Sequence, residues 1–270
     1  MPYLKVDGSS IYYEVYGEGV PLIFIHSHGL SHQMFSPQIH YFRKHYKLIL
    51  VDLRGNGRSG ALGVNNSHIL QAQCEDLKLL LDQLEISNAV WVGVSDGGIL
   101  VQQFMELYPQ YVSAIILSDS YSQNRSKGWV GKLASALHTA SSVTSYLPNE
   151  FFTRSLKLTY YNWDFAYRVL RNEMVQKRPT EWIKQRAALK EVDLTPSLNQ
   201  INVPVLCVVG DFSQTAIQRM QETVSFIPDA TLQIIEDSYD PSNLCQPMKF
   251  NEALRDFLEL HKERLILDSA

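Results

Sequence analysis

Short apolar runs rich in β-branched residues alternate along this chain with longer stretches in which apolar residues recur at helical spacing. The runs Pro21 to His26, Lys47 to Val51, Ala89 to Val94, Ala114 to Leu117, Pro204 to Val209 and Thr231 to Ile235 have the length and composition of buried strands. Ile69 to Leu84 and Phe250 to Leu260 carry the 3.6-residue period of amphipathic helices. At the start, Tyr3 to Val6 and Ile11 to Val15 flank Asp7-Gly8, which predicts a hairpin. Parallel strands need crossover connections, usually helical, so this alternation predicts an α/β fold: a mostly parallel twisted sheet flanked by helices.

The rhythm breaks over residues 121 to 200. That stretch reads as several helices separated by Pro148 and Pro179 and rich in aromatics: Trp129, Tyr146, Phe151, Phe152, Tyr160, Tyr161, Trp163, Phe165, Tyr167 and Trp182. The expected organisation is a core built from residues 1–120 and 201–270, with 121–200 inserted as a helical cap or lid. Most of the aromatics are expected to pack the insert, and a minority to line a pocket.

The 270 residues, 45% of them hydrophobic and 19% charged, suffice for one such domain with an insertion. No apolar run is long enough to span a bilayer, and the opening Met1 to Asp7 lacks the apolar core of a signal peptide, so a cytoplasmic location is expected. The three cysteines, Cys74, Cys207 and Cys245, have neither disulfide-like nor zinc-like spacing and read as reduced packing residues. No metal or other cofactor is implied.

Charge modifies this picture only locally. The net charge is −4, but residues 121–200 hold twelve Lys/Arg against six Asp/Glu, a local +6 that leaves −10 for the rest. The insert's basic face reads first as a solvated surface; a lid that attracts an anionic ligand or docks on an acidic body is the alternative. An acidic chain without a nucleic-acid motif disfavours that class of partner, leaving a small molecule as the expected one.

The candidate chemistry begins at Trp91-Val92-Gly93-Val94-Ser95-Asp96-Gly97-Gly98, a Gly-x-Ser-x-Gly pattern in which a strand turns sharply into a helix with a serine at the apex. Three further segments frame it in order: His26-Ser27-His28-Gly29, Asp52-Leu53-Arg54-Gly55-Asn56-Gly57-Arg58-Ser59 and Val203-Pro204-Val205-Leu206. Together these four segments resemble the α/β-hydrolase superfamily over nearly the whole chain. The resemblance implies a nucleophile elbow at Ser95 and an oxyanion hole made by the backbone N–H groups of His28 and Asp96. Ser27 stands where a glycine is usual, and a positive φ there would strain it.

The resemblance also implies a catalytic acid and base, and both positions depart from it. The acid position, in Gly210-Asp211-Phe212-Ser213, holds Ser213, and the base position before Pro247-Met248-Lys249-Phe250 holds Asp240. Asp211 could replace the acid only by a change of register. Asp119, after the preceding strand, falls where some members carry an alternative acid and reads here first as structural. His261 lies too far along the chain to be the missing base. A triad without its base loses about 10⁶ in rate, so ordinary esterase chemistry is not expected. Three readings remain: noncanonical chemistry on a carbonyl or ester-like molecule through Ser95, Asp240 and His28, with Asp96, Asp237 and Asp240 as an acid cluster; a catalytically silent ligand-binding or sensing protein; and slow residual hydrolysis by Ser95.

Overall fold

The strand segments pair into one sheet in the computed structural model, which describes residues 2–123, 149–176, 178–190 and 192–269. Trp129, Tyr146, Pro148, Arg125, Lys127, Lys132, Lys177 and Glu191 lie outside the described residues, as do the side chains of Glu150, Phe151 and Phe152. The strands are β1 (Tyr3–Val6), β2 (Ser9–Tyr16), β3 (Pro21–Ile25), β4 (Lys47–Asp52), β5 (Ala89–Val94), β6 (Val112–Ser118), β7 (Val205–Gly210) and β8 (Ala230–Ile235). Their order is β1-β2-β4-β3-β5-β6-β7-β8, antiparallel at the two pairings of β2 and parallel elsewhere. This is the α/β class expected from the alternation.

Both faces of the central strands are buried, and the period-2 alternation divides their side chains between two cores. Ile23, Ile25, Ile49, Val51, Trp91, Ile115, Leu117, Cys207 and Val209 point to one face. There they meet α2 (Ile69–Gln83), α3 (Asp96–Leu107) and, between β7 and β8, α8 (Gln214–Phe226). Trp91 stacks on Phe104 of α3 with ring centroids 4.0 Å apart and donates its indole N–H to the Tyr111 carbonyl. On the other face Leu22, Phe24, Leu48, Leu50, Val90, Val92, Ile116 and Val208 pack with α1 (Ser36–Phe42) and α10 (Pro247–Leu260). Helix α10 starts three residues before the apolar period does, because Pro247 occupies its first turn, where no intrahelical N–H is needed.

The parallel register brings the strand ends to one level: Gly93 lies beside Ile25 and Leu117, Ser118 beside Val94 and Val208, and Gly210 beside Ile235. The loops leaving β3, β5, β6, β7 and β8 therefore converge at one edge, as ligand sites in open α/β sheets require.

Between β6 and β7 come α4 (Asn149–Thr159), α5 (Asp164–Gln176), α6 (Pro179–Ala188) and α7 (Thr195–Leu198). Polar contacts fasten them over that edge. Gln185 of α6 is fully buried; its Oε1 accepts from Asn56 Nδ2 at 2.7 Å and from Gln73 Nε2 at 3.4 Å. Arg178 donates to the carbonyls of Gly57, Ser59 and Gly60 at 3.0, 2.7 and 3.3 Å. Gly29, at φ 81°, lies under Trp182 so closely that a Cβ would fall 2.5 Å from the ring. Of the insert's aromatics, Tyr160 and Trp163 are buried, whereas Tyr161 and Phe165 face solvent.

Gln185→Leu keeps the size but removes the acceptor shared by the Asn56 and Gln73 amides, which keep their bonds to the Arg54 carbonyl, a loss of about 0.5–1.5 kcal/mol per hydrogen bond. Chemical denaturation is expected to give a lower midpoint for this variant, and limited proteolysis to give faster cleavage in the inserted helices.

Candidate active site

At the junction of β5 and α3, Ser95 adopts φ 53° and ψ −120°, outside the regions that side-chain-bearing residues prefer. So sharp a turn demands close backbone approach, and the flanking glycines permit it. A Cβ on Gly97 would fall 2.2 Å from the Ile25 carbonyl, and one on Gly98 2.4 Å from Ser120 Oγ. Ser95 N–H donates to the Ser118 carbonyl at 2.8 Å, while Gly98 N–H donates to the Ser95 carbonyl at 3.0 Å. These contacts hold the strained residue in place.

The Ser95 hydroxyl donates to Asp240 Oδ2 at 3.1 Å. Asp240 comes from the loop after β8. That loop is tied to the inserted segment: the Tyr160 hydroxyl donates to the Asp240 carbonyl, and Trp163 Nε1 to the Asp237 carbonyl at 2.8 Å. Burial is the main cause raising the Asp240 carboxyl well above the usual carboxylate range, followed by the charges of Asp119 and Asp96; only the Ser95 hydrogen bond opposes them. Asp119 is buried as well, and burial raises it against four donors: Gly210 N–H, Ser242 N–H and the hydroxyls of Ser118 and Ser242.

The acid cluster is thus Asp96, Asp119 and Asp240. Asp237, expected in it, is instead exposed at φ 55°, with its carboxylate accepting from Gln246 Nε2 at 3.0 Å. The turn after β8 points that side chain away, a reversal that residue spacing does not reveal. Asp119 combines the structural role expected of it, bridging β6 to the loops after β7 and β8, with electrostatic contact to Asp240.

Ser213 is used elsewhere: it is the N-cap of α8, its Oγ accepting from Ala216 N–H at 3.3 Å. Asp211 accepts from Ser238 N–H at 3.2 Å, pinning the loop after β8.

Histidines surround the site without serving Ser95. His26 is buried between the Ser27 carbonyl on Nδ1 and the Leu53 N–H on Nε2, and burial lowers its pKa to about 4. His28 Nε2 lies 3.1 Å from Gln73 Oε1, and because Gln73 Nε2 already donates to the Arg54 carbonyl and Gln185, the His28 nitrogen is the donor. Its Nδ1 is then a buried lone pair with no hydrogen-bond partner. Burial lowers the His28 pKa and the Asp96 charge opposes it, so the ring stays neutral. Ser27 is free of the positive φ that would have strained it, the left-handed turn falling on Gly29 instead. Its hydroxyl donates to Asp96 Oδ2 at 3.2 Å. Asp96 also feels Arg186 of α6, whose guanidinium lies 4.7 Å from the Trp182 ring centre.

The Asp52-to-Ser59 segment supports the loop after β3. Asp52 Oδ1 accepts from His32 N–H and Nδ1 at 2.8 and 2.7 Å, and Oδ2 from Arg58 N–H at 2.8 Å. Arg54 forms a buried bidentate pair with Asp76, both contacts at 2.5 Å. Among the described residues no set of three His, Cys, Asp or Glu side chains could hold a metal ion, and no helix is long and apolar enough to cross a membrane.

Comparison with known proteins gives a consistent result. The family profile described as the alpha/beta hydrolase fold matches residues 20–244. The chain is 27% identical over 263 residues to 3-oxoadipate enol-lactonase 2 of Acinetobacter baylyi, covering 93% of this chain and 94% of that one. It is also 27% identical over 269 residues to a pimeloyl-[acyl-carrier protein] methyl ester esterase of Aliivibrio salmonicida, covering 96% and 99%. In three dimensions it superposes on the enol-lactonase of Burkholderia xenovorans with a TM-score of 0.82 at 21% identity over 96% and 100% of the two chains, a likeness of fold.

The raised Asp240 carboxyl has a consequence for stability. The folded protein holds this proton more tightly than the unfolded chain does, so the stabilisation is present at low pH and is lost as pH rises through the folded-state pKa. Asp240→Asn keeps the shape without the charge. Thermal melts from about pH 4, near an unfolded aspartate's pKa, to pH 9 are expected to show the variant gaining steadily on the wild type.

Proposed function

The chain belongs to the alpha/beta-hydrolase fold family, and from that membership we propose that it cleaves a small ester or lactone with Ser95 as nucleophile and Asp240 as the base. The observation that carries this reading is the 3.1 Å hydrogen bond from Ser95 Oγ to a carboxyl enclosed among other acids. The relatives named as an enol-lactonase and a methyl ester esterase support the substrate class.

A carboxylate of ordinary pKa is a weak base for a serine. Burial and neighbouring charge raise its proton affinity toward the operating range of a general base, which histidine reaches unaided. In the first step the Asp240 carboxylate takes the Ser95 proton as Oγ attacks the acyl carbonyl carbon. The backbone N–H groups of His28 and Asp96 receive the oxyanion. As the tetrahedral intermediate collapses, the C–O bond to the leaving alkoxide breaks and Asp240 returns the proton to it. Water, giving a proton to Asp240, then attacks the acyl-serine; the acyl C–Oγ bond breaks, Asp240 passes that proton to Ser95 Oγ, and the acid is released with Ser95 and the Asp240 carboxylate restored.

The charge balance explains why two positions depart from the family pattern together. A histidine base becomes a buried cation during the reaction and needs an adjacent carboxylate. A carboxylate base becomes neutral on accepting a proton and needs none. Ser213 in place of the acid is therefore compatible with Asp240 in place of the base, and the helix cap gives that serine its own reason to be there. In this reading the described helices α4 to α7 form the cap over the ester, with Arg186 beside Asp96 at the elbow.

Two measurements test the reading. Hydrolysis of short activated esters and lactones should rise with pH along a single limb as Asp240 ionises. Asp240→Asn and Ser95→Ala should each lower kcat at least about 10²-fold, the lower end of a general base's contribution. Saturable ligand binding with no product from any of these substrates would favour the silent binder instead. The second measurement rebuilds the usual machinery with Asp240→His and Ser213→Asp, the aspartate retaining the α8 cap. Rapid, fluorophosphonate-sensitive esterase activity is expected from the double variant and from neither single one, a strongly non-additive gain.

A further inference from the structure

The buried Asp119 carboxyl and the half-buried carboxyl of Asp240 are in electrostatic contact, yet their surroundings differ sharply. Asp119 Oδ1 accepts from Gly210 N–H at 3.0 Å and Ser242 Oγ at 2.9 Å, and Oδ2 from Ser242 N–H at 2.7 Å and Ser118 Oγ at 2.9 Å. Among the described residues Asp240 has one side-chain donor, Ser95. A second unusual feature marks Asp119: its φ is 50°, a left-handed conformation like that of Ser95 itself. Helix caps and turns could satisfy Gly210 and Ser242 with a neutral oxygen, so four donors on one buried carboxylate exceed what joining loops requires.

Neighbouring buried carboxyls resist double ionisation, and the proton settles on the one whose charge is less well supported. We propose that Asp119 is a positioning residue that retains the negative charge of this pair, so that the proton they share resides on Asp240, and that through Ser242 it fixes where the Asp240 carboxyl meets Ser95. Ser242 lies two residues beyond Asp240, and both its N–H and its hydroxyl are held by Asp119. The catalytic consequence rests on the reading of Asp240 as base; the placement of the proton does not.

The groups around Asp240 leave Asp119 as the main lever. Asp96 comes from α3, Tyr121 from the segment after β6, Tyr160 from the insert, Tyr239 from the loop of Asp240, and Cys245 from α9 (Ser242–Cys245). None of these is a cation. Arg186 lies beside Asp96 and Tyr121, where it moderates the Asp96 charge. Asp119 precedes Asp96 among the charges that raise Asp240.

The test reads the two carboxyls directly. In the full chain labelled with carboxyl-¹³C aspartate, the Asp240 and Asp119 signals are assigned by their loss in Asp240→Asn and Asp119→Asn and are followed over pH. The expected result is that Asp240 titrates above the ordinary carboxylate range while Asp119 stays ionised. Asp119→Asn should then lower the Asp240 midpoint by about one unit or more, as expected when a nearby like charge is removed. Ser242→Ala, a milder change that removes one donor from Asp119 and leaves the backbone N–H, should turn the Asp240 titration into two steps as the proton is shared more evenly. This variant carries the test if Asp119→Asn does not fold. An Asp240 midpoint unmoved by either substitution, or a wild type in which Asp119 is the acid that titrates high, overturns the proposal. The ester-hydrolysis pH limb, measured in parallel, separates the two claims. Signals that shift as expected in a protein without turnover uphold the proton placement and remove the base; turnover whose limb and signals ignore Asp119 does the reverse.

Discussion

The site depends on a steric constraint at one point in the backbone, where the first turn of α3 lies against the carbonyl of Ile25 with no space for a side chain at Gly97. That approach lets the chain reverse at Ser95 and presents the hydroxyl beyond the sheet edge. It also locks the elbow to its neighbours, since Ser95 N–H needs the Ser118 carbonyl, and Gly98 packs against Ser120. The turn after β5 and the turn after β6 are thus one unit. Asp119, the next residue along β6, is placed by the same contacts that place Ser95, and through Gly210 and Ser242 it draws in the loops after β7 and β8.

Once those loops are joined, the chemistry is decided by the sign of charge that each group can carry. The surroundings of Asp240 hold Asp96 and Asp119, while His26 and His28 are both kept neutral by burial. An environment of that kind favours a catalyst whose proton-bearing form is uncharged. An imidazolium at the same position would find negative charge nearby but no carboxylate free to orient it, because the oxygens of Asp119 are already taken by four donors.

Much of this was legible in the chain. β-branched runs located the strands because burial on both faces leaves them little other composition, and the glycines around Ser95 located the elbow because no other residue fits there. Asp240 and Ser213 could be singled out because the segments before and after them keep their spacing. What the chain concealed depends on side-chain direction within irregular turns. Asp237 and Asp240 are three residues apart, yet one faces solvent and the other faces Ser95. Helix α1 has only seven residues, too few for a clear period, whereas the 13-residue α8 carried a usable signal in Ser213 at its cap. The electrostatic weight of Asp119 needs three loops from distant parts of the sequence before it exists at all.

The inserted helices also hold the loop that carries Asp240. Tyr160 donates to the carbonyl of Asp240 and Trp163 to that of Asp237, so the insert holds the loop after β8 at two points. At the other end, Gln185 bonds Asn56 and Gln73, and Gln73 in turn orients His28 in the loop after β3. The insert therefore grips both sides of the elbow, the loop that would carry an oxyanion donor and the loop that carries Asp240. Each such bond contributes about 0.5–1.5 kcal/mol net. Lifting these helices away from the sheet edge would break them together and release both loops at once. The seat of these helices on the sheet edge and the alignment of Asp240 with Ser95 are, in this architecture, tied through the same contacts.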